Sequence, residues 1–299
     1  MFDDSSADEY LINEYLLESC YINPNEEVEY PPVAISLGES SFEGPEGTVT
    51  YPTPIGTYGN IGFLQAPPKH KKTFLVTLLS AAYLGGDCAE YVGQIKGHRD
   101  GKCLYHFDTE QGKFHAQKVF KRVLKMTGLS NECYRTYGLR TLSVPERLRV
   151  IEHSLENAEN LGLVVIDGVA DLVQDVNNIE ESNSVIQKLM KWSEKYNCHI
   201  LTVIHTNYNS DKPTGHLGSA LEKKAETQIS LSKSEHDDNI INVKCKSSRS
   251  KSFDDFSFMV KRNSLPFVLQ DNINVHKKEY IKYEDMFGNT NQGNASSVR

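Results

Sequence analysis

Ile61-Gly62-Phe63-Leu64-Gln65-Ala66-Pro67-Pro68-Lys69-His70-Lys71-Lys72-Thr73 is the stretch on which the fold turns. Ile61–Gln65 reads as a short strand. Thr73–Tyr83 is nearly all apolar or small and reads as a buried helix. A strand, a tight loop and a helix N-terminus together present free backbone N–H groups to an anion. The closing Lys72-Thr73 pair matches the end of G-x-x-x-x-G-K-[ST], in which the lysine reaches the β- and γ-phosphates and the hydroxyl ligates Mg²⁺. Both glycines of that pattern are replaced, by Ala66 and Lys71. Glycine lets such a loop turn tightly and approach phosphate closely. Taken alone, Ala66–Thr73 reads equally well as a basic loop capping a core helix.

The later strands carry the same arrangement. Cys103–Phe107 is a strand followed by Asp108-Thr109-Glu110, where a carboxylate could activate a water. Leu163-Val164-Val165-Ile166 is a continuous apolar run, as in a strand buried on both faces, and Asp167-Gly168 follows. His199–Ile204 is a third buried strand, followed by His205-Thr206-Asn207. Each feature has a plainer reading: an acidic loop, an apolar strand that happens to end in Asp, a structural histidine. Together they fall at the ends of successive strands, where an open parallel sheet binds its ligand.

Amphipathic helices separate these strands. Lys113–Met126 has Val119, Phe120, Val123 and Leu124 on one stripe, and Ser184–Tyr196 turns Val185, Ile186, Leu189 and Trp192 inward. Ser143-Val144-Pro145-Glu146 is a capping-box helix start that leads to Leu148, Ile151 and Leu155. Strands alternating with helices imply βαβ units and a parallel sheet covered on both sides. After Ala225 the period changes to two. Ile229/Leu231 and Ile241/Val243/Cys245 flank a Glu235–Asn239 turn, and Phe256–Val260 follows, which reads as antiparallel strands added at one edge.

Charge is distributed unevenly over the 299 residues. The first basic residue is Lys69, and the 68 residues before it carry 12 Asp and Glu; the rest is mildly basic, within a net charge of −8. Residues 1–45 read as an acidic, partly disordered arm with a weak helix around Tyr10–Leu17. The arm is either a solvated tail or a segment that docks on a basic face or mimics nucleic acid. Six scattered cysteines without a C-x-x-C pair read as reduced core residues, not a zinc site. No long apolar run and no leader pattern occur, which predicts a cytoplasmic protein with no membrane contact. Residues 286–299, including the Asn/Ser/Gly-rich Asn289–Arg299, read as a flexible tail.

From Pro52 to Val268 the chain resembles RecA-type P-loop ATPases, most of all the RepA/DnaB-like hexameric helicases of plasmids, phages and other mobile elements. Pro54-Ile55-Gly56-Thr57-Tyr58-Gly59-Asn60 resembles the segment before the family's phosphate loop, and Lys69–Thr73 a lysine-rich variant of that loop. The resemblance implies an α/β fold, a RecA-like domain over residues 46–285, and ATP and Mg²⁺ as cofactors. Ala66, Pro67, Pro68, Lys69, His70, Lys71, Lys72 and Thr73 would hold the phosphates. Thr73 and Asp167 would place the metal, Glu110 would activate water, and His205 would sense the γ-phosphate. Gly215–Thr227 resembles the segment after a DNA-facing loop, so Tyr208, Lys212 and His216 would contact single-stranded DNA. Lys244–Arg249 resembles the finger that completes a neighbouring subunit's site, which makes Arg249 the candidate in a ring, expected to be a hexamer. Replication or mobilisation proteins are the expected partners. The alternatives are a non-motor regulatory or recombination-type ATPase with weak turnover, a nucleotide-binding scaffold, and an interaction protein on a vestigial fold.

Overall fold

The computed structural model of the chain describes residues 4–44, 47–208, 210–260 and 264–269. The expected C-terminal tail lies outside the described residues. The first compact unit ends at Pro32 and holds one helix, α1 (Asp4–Cys20), longer than the expected Tyr10–Leu17. Ile12, Tyr15, Leu16 and Leu17 on it are exposed.

The expectation of an acidic arm through residue 45 is corrected. Val33–Gly44 is a strand, β1, paired antiparallel with β2 (Gly47–Thr57). Ala34, Ile35, Ser36 and Leu37 are buried. The apolar residues of Val33–Leu37 suffice to anchor a strand, and the acidic character of the preceding segment hid them.

The remaining elements follow in the order β3 (Ile61–Ala66), α2 (Lys72–Leu84), α3 (Ala89–Val92), β4 (Ile95–Gly97), β5 (Cys103–Asp108), α4 (Lys113–Thr127), β6 (Tyr134–Gly138), α5 (Val144–Glu156) and β7 (Leu161–Asp167). After a 3₁₀ turn at Val169–Leu172 come α6 (Ile179–Lys195), β8 (His199–His205), α7 (Gly215–Lys224), β9 (Thr227–Lys233), β10 (Ile240–Ser248), β11 (Phe256–Val260) and β12 (Pro266–Val268). The main sheet has the order β12-β11-β10-β9-β3-β8-β7-β5-β6. The six strands from β9 to β6 run parallel, and β10, β11 and β12 extend the β9 edge antiparallel. β4 joins β1 and β2 in a small second sheet.

Period-two alternation builds both faces of the main sheet. Leu64, Leu163, Val165, Leu201 and Val203 pack with α2 and with Val123 and Met126 of α4. Phe63, Val164, Ile166, Ile200 and Ile204 pack on the other face with Ile151 of α5, Val185, Leu189 and Trp192 of α6, and Leu217 and Leu221 of α7. The Ser143–Glu146 capping box forms as the sequence implies, with Ser143 N 2.8 Å from Glu146 Oε2. At the start of α6, Asn178 Oδ1 accepts from the N–H groups of Glu180 and Glu181, a cap worth about 1 kcal/mol.

One join was not legible in the sequence. Glu226, buried between α7 and β9, accepts from Thr57 N at 2.9 Å and Thr57 Oγ1 at 2.8 Å. His199 donates through Nδ1 to Thr57 O at 2.9 Å. Gly56 leaves the space that the imidazole fills, since a Cβ there would run into the ring. These contacts clamp the end of β2 onto the main sheet.

His106 on β5 is completely buried, with Nδ1 3.0 Å from the Tyr134 hydroxyl. Burial pushes its pKa down to about 3. The unfolded chain binds a proton near pH 6.5, whereas the folded one does not. Stability is therefore full above that value and is lost as pH falls toward 3. From pH 7 to pH 5 the histidine should cost about 2 kcal/mol. Urea midpoints at the two pH values should differ less for His106→Phe than for the wild type; equal differences would exclude this origin.

Candidate active site

Register places the strand ends side by side. Ala66 at the end of β3 pairs with His205 at the end of β8, and Asp108 at the end of β5 pairs with Asp167 at the end of β7. The loop between β3 and α2 makes its turn without glycine: Lys69 has φ 65° and Lys71 φ 57°, both left-handed. For L-residues that backbone costs about 1–2 kcal/mol each. Lys71 is the N-cap residue of α2, and its Nζ donates to Asn239 O at 3.2 Å, in the turn between β9 and β10.

Lys72, the first residue of α2, is buried and turns back over the loop. Its Nζ lies 2.8 Å from His205 Nδ1, 3.3 Å from Ala66 O and 3.4 Å from Pro67 O. An ammonium can only donate, so His205 accepts at Nδ1 and carries its proton on Nε2. That nitrogen faces Glu110 Oε1 at 3.5 Å. Next to this chain, Thr73 Oγ1 donates to Asp167 Oδ2 at 3.2 Å. Lys69, His70, Lys71, Lys72, Thr73, Glu110, Asp167 and His205 all line one cavity of about 270 Å³. Ala66, Pro67 and Pro68 belong to the strand end and loop behind it.

The electrostatics divide the carboxylates. Asp167 is pushed up to about 7, first by burial and then by Asp108 and Glu110. Burial also raises Asp108. Glu110 is held below the usual carboxylate range, first by the hydrogen bond from His205, against the effect of burial, and further by the charge of Lys72. Burial lowers Lys72. Glu110 is thus kept ionised, as a proton acceptor needs to be. Among the described residues no group of three or more His, Cys, Asp or Glu gathers as a metal cage. A buried carboxylate beside a hydroxyl supplies two hard oxygens, which suits Mg²⁺, an ion that keeps several waters and binds substrate phosphates. Asp167 and Thr73 therefore fit that ion.

Residues outside the expected set fix the Glu110 loop. Asp108 accepts from Glu110 N at 3.0 Å, Gln111 N at 2.8 Å and Gln111 Nε2 at 2.9 Å. Thr109 Oγ1 lies 3.0 Å from Asp167 O, 2.9 Å from Gly168 O and 2.8 Å from Asp171 Oδ2. Arg147 Nη1 donates to Asp171 O at 2.6 Å. Gly168 has φ 108°, and a Cβ there would strike Thr109 Oγ1 and Glu110 Cγ. Gly168→Ala should displace Glu110, cutting turnover at least tenfold with a smaller change in the affinity of the cavity for its ligand. Steady-state kinetics beside a binding titration check this; unchanged turnover would contradict it.

A family profile for the AAA domain matches residues 55–211, more than half of the chain. The chain belongs to the AAA domain family. The matched stretch includes Lys72, Thr73, Glu110, Asp167 and His205. A solved structure described as the crystal structure of the RadB recombinase is 16% identical, with a TM-score of 0.49 over 71% of this chain and 92% of that one. No curated protein matches the chain. Among the described residues, no helix is long and apolar enough to cross a membrane.

The other expected site residues of the AAA domain chain lie outside the cavity. Tyr208, 94% exposed, follows β8. It sits on a small hairpin closed by a Thr206–Pro213 bridge and by Asn207 N donating to Lys212 O at 2.9 Å. Thr214 N and Oγ1 both donate to His205 O, so this hairpin springs directly from the cavity wall. Lys212 and His216 are exposed, on the hairpin and in the first turn of α7. Arg249, just after β10, is exposed and donates through Nη2 to Lys224 O at 2.9 Å. Lys246 reaches the hairpin, donating to Asp211 O at 2.6 Å, and Gln65 Nε2 donates to the same oxygen.

Proposed function

We propose that this chain binds and hydrolyses ATP with Mg²⁺ as a RecA-type, helicase-like motor acting on single-stranded DNA in the replication or mobilisation of a mobile element. The observation that supports the ATP reading is the convergence of Lys72, Thr73, Glu110, Asp167 and His205 on one cavity. Lys72 and the N-terminus of α2 bind the phosphates, and Thr73 and Asp167 place the metal, which neutralises charge on the phosphates when bound. Glu110 takes the proton of the attacking water, and His205 links it to Lys72. The DNA reading rests on the exposed Tyr208, an aromatic face on which a base can stack, and on Lys212 beside it as a phosphate partner. Arg249 would complete the site of a neighbouring copy in a ring, expected to be a hexamer.

A recombination-type or regulatory ATPase with weak turnover is the second reading. It is favoured by the phosphate loop, which carries side chains at left-handed positions and commits Lys71 to the β9–β10 turn. ATP hydrolysis with and without single-stranded DNA, followed by a strand-displacement assay, separates the two. DNA-stimulated hydrolysis with displacement supports the motor. Slow hydrolysis that ignores DNA supports the second reading.

A further inference from the structure

Arg122 of α4 is a cation of the nucleotide cavity that the reading above leaves without a task. It lines the cavity together with Lys72, Thr73 and Phe74. Its guanidinium lies over the Phe74 ring, 4.1 Å from the centroid. Nη1 is 3.5 Å from Thr77 Oγ1, whose own proton goes to Thr73 O at 2.8 Å. The side chain is therefore laid along the first two turns of α2, immediately past Lys72-Thr73.

Four features of this placement point to an anion. Among the described residues no carboxylate pairs with Arg122. Partial burial works against its charge, a cost that an anion beside it would offset. A guanidinium has five N–H donors, and Thr77 accounts for one at a long distance. Stacking on Phe74 holds the planar group in one orientation, the condition for forked recognition of a phosphate. Its contacts are with Phe74 and Thr77, past Thr73 on α2, which would put it beside the inner phosphates of a nucleotide whose terminal phosphate meets Lys72 and Glu110.

We propose that Arg122 is a second phosphate-binding residue, holding the inner phosphates of the nucleotide from within the same chain. This rests on the cavity taking a nucleotide. It also gives the loop a replacement for close backbone contacts, which side chains at Lys69 and Lys71 restrict. Because the inner phosphates are common to ATP and ADP, Arg122 should matter equally for both.

Calorimetric titrations with Mg²⁺ and either a non-hydrolysable ATP analogue or ADP test this on the full chain. Arg122→Met keeps the packing stem and removes the charge. It should weaken both nucleotides by roughly 10- to 100-fold and leave their affinity ratio and the ligand-free melting temperature unchanged. Arg122→Lys keeps the charge and loses the fork, and should weaken both by about tenfold. Wild-type affinity in either variant, or a loss confined to the triphosphate, overturns the proposal. A wild-type protein that binds neither nucleotide overturns the nucleotide reading itself, before any variant is compared.

Discussion

Glu110→Gln should stop turnover while leaving nucleotide binding near the wild-type level. The variant is nearly isosteric, and the loop that carries it is held by groups it does not touch: Asp108 accepts the backbone N–H groups of residues 110 and 111, and Thr109 is anchored beside Asp167, Gly168 and Asp171. The geometry should therefore survive. What is lost is the proton acceptor, which the hydrogen bond from His205 keeps ionised. Loss of a general base typically costs about 10²- to 10⁴-fold in rate. Phosphate release under steady state, read beside an equilibrium titration with an ATP analogue, measures the two effects separately. Turnover at the wild-type rate would remove Glu110 from this role.

Lys72→Ala should weaken nucleotide binding strongly. The ammonium is buried and makes three contacts, two with loop carbonyls and one with His205. It is also the cation that acts on Asp167 and Glu110 in the electrostatics of both. Without it, two carboxylates face the incoming phosphates with no lysine between. A hydrogen bond to a charged group contributes about 1.5–3 kcal/mol, so affinity should fall by roughly 10- to 100-fold. His205 loses its donor in the same variant. Adding His205→Ala should therefore weaken binding by less than it does in the wild-type background. Equal losses in the two backgrounds would show that the Lys72–His205 contact does not couple them.

The sheet was legible because its pattern is local. The apolar runs at Leu64, Val164 and Ile200, and the helices between them, gave β3, β7, β8 and the two-faced covering. The period-two stretch after Ala225 gave the antiparallel edge. β6 was not legible: Tyr134-Arg135-Thr136-Tyr137-Gly138 is a sheet-edge strand with mostly exposed side chains and lacks the apolar signal. β1 was masked by the acidic segment before it.

The same distinction governs the site. Lys72, Glu110, Asp167 and His205 each stand at a strand end or helix start, so topology alone brings them together. Arg122, Asp171 and Glu226 act through tertiary contacts between distant segments, and no spacing marks them. The left-handed turn at Lys69 and Lys71 shows that the missing glycines removed backbone freedom without removing the turn.

The most direct test is a crystal structure of the chain with Mg²⁺ and a non-hydrolysable ATP analogue. The terminal phosphates should lie within hydrogen-bond distance of Lys72 and His205, with the metal at Thr73 and Asp167 and a water at Glu110. A nucleotide bound elsewhere, with Lys72 still directed only at His205 and the loop carbonyls, would contradict the convergence of these residues on one triphosphate.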